Sequence, residues 1–79
     1  MLRNVIFAAS AGSYDVMRFV RALSRLEGVR LLGVFARLND ELRQVCHDVA
    51  LVDDATSVDD LTSAVTLLTR KHGRAHRIL

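Results

Sequence analysis

Apolar residues fall along the chain in runs of two kinds. Short, mainly apolar runs occur at Val5-Ile6-Phe7-Ala8-Ala9, at Val29–Phe35, where Arg30 and Gly33 interrupt it, and at Val49–Val52, and a last such segment opens at Ala75-His76-Arg77-Ile78-Leu79. Between them, apolar residues recur at spacings of three and four. The first kind reads as strands buried on both faces, the second as amphipathic helices. The pattern predicts strands over 5–9, 29–35, 49–52 and 75–79, and helices over 14–26, 40–46 and 58–72. Strands that alternate with helices through short connections build a parallel sheet with helices on both faces. The expected fold is therefore α/β, three layers, with about four strands and residues 5–9 in the interior of the sheet.

Local chemistry sharpens the helix boundaries. In the first helix Val16, Phe19, Val20, Leu23 and Leu26 follow helical spacing, with Ser13 or Asp15 placed to cap it. Gly28 suits the left-handed position after its end. Gly33, inside a strand, implies a close approach to the backbone, expected from a packed helix. Asn39 caps the second helix, whose apolar stripe is Leu42, Val45 and Cys46. Ser57 caps the third, with Asp60 three residues on as a shortened capping box. Leu61, Ala64, Val65 and Leu68 form its buried stripe, and Gly73 stops it. Asp59 and Asp60 at its start and Arg70, Lys71 and His72 at its end complement the helix dipole.

Composition narrows the class. Seventy-nine residues make one domain, here 1–79, with a thin core. Hydrophobic residues are 51% of the chain, which excludes disorder, while aromatics are only 5%, so the core is aliphatic. The net charge of +2 carries little information, because the helix dipole accounts for the segregated acids and bases. Arg18, Arg21 and Arg25 line one helix face with no interleaved aromatics, which reads as a solvated face and not a nucleic-acid surface. A lone cysteine, Cys46, allows no internal disulfide and reads as a small buried hydrophobe. No run spans a bilayer and no signal-peptide pattern is present, so the expected location is the cytoplasm, without a membrane partner. The last strand opens where the sequence stops, which reads as the N-terminal part of a longer protein.

Candidate chemistry gathers at the first turn. In open α/β sheets the ligand crevice lies beyond the carboxyl ends of the strands. The turn Ser10-Ala11-Gly12-Ser13 occupies that place after the first strand and is the candidate substrate-binding segment. Its hydroxyls and free amides at a helix start could hold an anion. It has one glycine where a dinucleotide fingerprint needs three, and the Lys-Ser/Thr phosphate loop is absent. Gly12 is expected at a backbone position where a side chain would be costly, the more so at positive φ. Ala36-Arg37 stands where dinucleotide-binding domains carry a ribose-binding acid, and Arg37 could instead meet a 2′-phosphate. Asp53-Asp54 sits where receiver domains carry their phosphoacceptor. The acidic pair such a site needs after the first strand is replaced by Ser10 and Ala11, so no Mg²⁺ site is expected. His47, His72 and His76 have no metal-ligand spacing and read as surface residues. No catalytic residue and no metal site is assigned to this chain.

The wording of the segments carries a resemblance. An apolar strand and a small Ser/Gly turn lead into Phe19-Val20-Arg21-Ala22-Leu23 and the strand Val29–Phe35. A short helix, the strand Val49–Asp53 and a long helix ending Arg70-Lys71-His72-Gly73 follow, then His76-Arg77-Ile78. Over nearly its whole length this resembles the N-terminal domain that precedes the catalytic region of ATP-grasp enzymes, especially the carbamoyl-phosphate-synthase-like members. The resemblance implies a Rossmann-like half-domain with strand order 3-2-1-4. It implies a parent ligase that uses ATP and Mg²⁺ to activate a carboxylate as an acyl phosphate, then joins it to an amine or similar nucleophile. In that family the turn after the first strand, by position Ser10–Ser13, helps form the substrate side of the cleft. ATP and metal are held by later domains, so this chain binds no cofactor and is inactive alone. Two other readings stand beside it. One is a stand-alone or truncated Rossmann-type nucleotide-binding module. The other is a non-catalytic interaction domain that pairs through an exposed sheet edge, and a homo-oligomer is among the expected partners.

Overall fold

The computed structural model describes residues 2–79. Its elements are β1 (Arg3–Ala9), α1 (Tyr14–Ser24), β2 (Val29–Phe35), α2 (Asp40–Val45), β3 (Asp48–Leu51), α3 (Val58–His72) and β4 (Ala75–Ile78). The four strands form one all-parallel sheet in the order β3-β2-β1-β4. This is the Rossmann-like half-domain topology, with β1 and β2 interior.

The continuous apolar strands are explained by two separate cores. Successive strand residues point to opposite faces. Leu32 and Val34 of β2 join Ile6 and Ala50 beneath Ala64 and Leu68 of α3. Leu31 and Phe35 join Met17 and Val20 of α1 with Leu42 and Cys46 on the other face. Ile6, Val20, Leu32, Val34, Phe35 and Leu42 are fully buried. Removing such a side chain leaves a cavity that costs about 2–5 kcal/mol.

Several boundaries and faces differ from the sequence expectation. Helix α1 ends at Ser24, with Arg25 as its cap, and does not reach Leu26. Its buried residues are Met17 and Val20, whereas Phe19 is 47% and Leu26 54% exposed. The stripe is turned toward Met17 because α1 packs against α2 as well as the sheet. Phe19 lies at the margin, its ring 5.3 Å from that of Phe7. Strand β1 begins earlier, at Arg3, whose N–H donates to Gly28 O at 2.6 Å. Strand β3 is shifted one residue toward the N-terminus, and Cys46 caps α2 without belonging to it. Gly33 lies on the helix-covered face with Leu31 and Phe35, but what a side chain there would meet first is the ring of Phe35, two residues on, and not a helix.

The caps form as the residue types require. Ser13 Oγ accepts from Val16 N at 3.4 Å, Asn39 Oδ1 from Leu42 N at 2.7 Å and Ser57 Oγ from Asp60 N at 3.3 Å. The capping box at α3 is not reciprocal, because Asp60 Oδ2 accepts from Asp54 N at 2.9 Å instead. Gly28, at φ 72°, takes the expected left-handed conformation.

Asn4 is the one buried polar side chain among the described residues. Its Nδ2 donates to His72 O at 2.9 Å and to Arg74 O at 3.1 Å, closing the C-terminal end of α3 and the turn into β4. Its backbone N–H donates to His76 Nδ1 at 3.1 Å. The register slips between Asn4↔Ala75 and Val5↔Arg77, so His76 is the extra residue of a bulge. Its ring supplies the acceptor that a regular ladder would take from the backbone. Asn4→Leu keeps the volume and strands these carbonyls. The expected loss is about 1–3 kcal/mol in urea unfolding, with the slope unchanged.

Candidate functional site

The carboxyl ends of β1, β2 and β3 open onto a cleft of about 450 Å³, lined by Ser10, Ala11, Ala36, Arg37, Asp53, Asp54 and Ala55. It exists because parallel order brings three strand-to-helix turns to one rim. The rim is stitched together by Ser10 O, which accepts from Ala36 N at 3.1 Å and Arg37 N at 2.9 Å. The third wall is held by Asp54, whose Oδ1 accepts from Thr56 N at 2.9 Å and Thr56 Oγ1 at 2.7 Å. The Thr56 hydroxyl and then its amide hold the Asp54 carboxyl below its ordinary pKa. Arg37 and Asp53 are exposed at the mouth, and among the described residues Arg37 makes no ion pair.

The turn Ser10–Ser13 divides between two tasks. Ser10 and Ala11 line the cleft; Gly12 and Ser13 do not. The Ser13 amide donates to Ala11 O at 3.0 Å, and its hydroxyl caps α1. Gly12 has no positive φ. Its constraint is contact: a Cβ there would lie 2.6 Å from Asn39 Nδ2, 2.9 Å from Met17 Sδ and 3.1 Å from Leu42 Cδ1. Met17 has room to bend, but Asn39 is fixed by its cap on α2 and Leu42 is fully buried. Arg37, Asp53 and Asp54 enter the same cleft. Read along the chain they belong to two unrelated chemistries; the strand order makes them neighbours.

The Ser13 donors of the turn are spent on the chain itself, as is Asp54 Oδ1. Among the described residues no group of three or more His, Cys, Asp or Glu side chains is placed to hold a metal ion. The cleft brings together one guanidinium, two carboxylates and the Ser10 hydroxyl.

The opposite end of the sheet holds the histidines, and two of them have structural partners. His72 Nε2 lies 2.8 Å from Asp48 Oδ2, and Lys71 Nζ lies 3.3 Å from the same oxygen. His76 receives the Asn4 amide, and the His47 ring sits edge-on to His72 at 5.2 Å. The His72 hydrogen bond first, with Val49 N–H and Lys71, holds Asp48 below its ordinary pKa against the opposing effect of burial. Arg21, expected in a solvated stripe, pairs through two nitrogens with Glu41 at 2.5 and 2.7 Å, tying α1 to α2. Cys46 is a buried free thiol, pushed up to about 11 by burial, which makes it inert.

No helix is long and apolar enough to cross a membrane among the described residues. Comparison with known family models, curated proteins and solved structures gives no match.

Two outcomes follow from this geometry. Gly12→Val should cost about 1–3 kcal/mol in denaturant unfolding, by overpacking against Asn39 and Leu42, and Gly12→Ala less. Asp48, with its folded pKa lowered, contributes stability that is present above its unfolded pKa and lost as pH falls through the folded value. Asp48→Asn should therefore flatten the loss of stability below about pH 4, by about 1 kcal/mol given its partial exposure, in unfolding measured from pH 6 to 2.

Proposed function

We propose that this chain is the N-terminal, substrate-side domain of an ATP-grasp ligase. Such an enzyme activates a carboxylate as an acyl phosphate and joins it to an amine or related nucleophile. The observation that carries the reading is the meeting of Ser10 and Ala11 with Arg37, Asp53 and Asp54 at the carboxyl ends of a parallel sheet in the order β3-β2-β1-β4. The segment resemblance calls for the same order and the same turn.

In this reading Arg37 pairs with the carboxylate of the substrate. Asp53 accepts from a cationic or hydroxyl group elsewhere on it, and Ser10 hydrogen-bonds the same molecule. ATP and Mg²⁺ belong to the remaining domains of the enzyme. The setting is cytoplasmic, and the partners are those domains and a small-molecule carboxylate, without nucleic acid or membrane.

The test has two arms. Calorimetry of the 79-residue chain at millimolar Mg·ATP, with a phosphate-release assay, is expected to show neither saturable binding nor turnover. Saturable binding would favour a stand-alone nucleotide-binding module. In the protein encoded by the full reading frame, ATP-dependent phosphate release should require a carboxylate substrate. Arg37→Ala should raise KM for that carboxylate about tenfold, the loss of one charge-assisted hydrogen bond, and leave KM for ATP unchanged. Equal effects on both would sink the assignment of Arg37.

A further inference from the structure

The outer edge of β3 pairs with no strand. Beside it runs a groove of about 430 Å³ between β3 and α3, lined by Val49, Leu51, Val52, Asp60, Ser63 and Leu67 among others. Leu51 is 64% and Leu67 52% exposed, large apolar side chains on either side of a free edge. An edge of this kind is a template for another strand.

The charges flanking the edge show which strand fits. Asp60, Ser63, Leu67 and Lys71 recur at helical spacing along α3. The stripe is acidic at its N-terminal end and basic at its C-terminal end. Asp60 lines the groove with Asp53 at the end of β3, and Lys71 reaches Asp48 at its start. The stripe and the strand thus run side by side in opposite directions. A two-fold axis level with Ala50 maps each onto itself reversed.

We propose that two copies of this chain associate through β3, antiparallel, into a continuous eight-stranded sheet, four from each copy. With Ala50 on the axis, Val49 faces Leu51 of the second copy and His47 faces its Asp53. On the helical side, Ser63 meets Leu67 and Asp60 meets Lys71 of the second copy, twice by symmetry. The surface is self-complementary in charge and in apolar pairs, the condition for an isologous interface. Val49 N–H, held in the single chain by Asp48 Oδ1 at 2.8 Å, takes the Leu51 carbonyl of the second copy. The free edge of β4 lacks this property, because Arg74, His76 and Arg77 bring like charges together in an antiparallel pair.

Sedimentation velocity on the 79-residue chain over a concentration series tests this. The expected result is a reversible dimer. Leu51→Lys, at an exposed position that leaves the fold intact by circular dichroism, should weaken it at least about tenfold. Asp60→Lys and Lys71→Asp chains should each be monomeric alone and associate when mixed, because the mixture restores both ion pairs. A monomer at every concentration overturns the proposal. So does a dimer indifferent to Leu51→Lys, or charge variants that fail to associate on mixing while remaining folded.

Discussion

The unbroken parallel register between β1 and β2, from Arg3↔Val29 to Ala9↔Phe35, is the constraint on which the rest depends. Parallel pairing of adjacent strands needs a crossover, here α1, and leaves both faces of the pair to be covered. The two cores follow. Even-numbered residues of β2 go beneath α3, and Leu31 and Phe35 beneath α1 and α2. Ser10 O closes the carboxyl end of the pair on two amides of the chain leaving β2. The cleft therefore takes its shape from the most extensively paired strands of the sheet.

The two ends of the sheet are built differently. At the carboxyl end, exposed Arg37 and Asp53 stand beside a turn whose Ser13 groups are spent internally. At the amino end, Asn4, Asp48, His72 and His76 bond one another or the backbone and hold β1, β3, α3 and β4 together. Polar groups of similar type thus stand exposed at one pole and fasten elements together at the other. The difference is burial: Asn4 is 5% exposed, and a buried amide must find partners.

A thin, two-faced domain also leaves surface that larger domains would cover. Helix α3 lies over β3, β2 and β1, so the outer strands are left with free edges. The edge at β3 is apolar and charge-complementary to itself, and the edge at β4 is basic. That asymmetry is what favours β3 over β4 for the proposed pairing of two copies.

The sequence by itself determined the number, kind and order of elements. Apolar runs in Val5–Ala9 and Val29–Phe35, and the caps Ser13, Asn39 and Ser57, are local signals that survive folding because each acts within a few residues. It also placed the turn after β1 at the carboxyl rim of the sheet, where Ser10 and Ala11 line the cleft. What only the tertiary structure decided depends on contacts between distant segments. The face of α1 was settled by α2, which drew Met17 inward and left Phe19 at the margin. Gly12 was constrained by Asn39 and Leu42, and Gly33 by a ring two residues away, through contact instead of dihedral angle. Arg37, Asp53 and Asp54 became one site, and His72 and His76 became fasteners, because strand order set their neighbours. Spacing along a chain carries no record of such pairings.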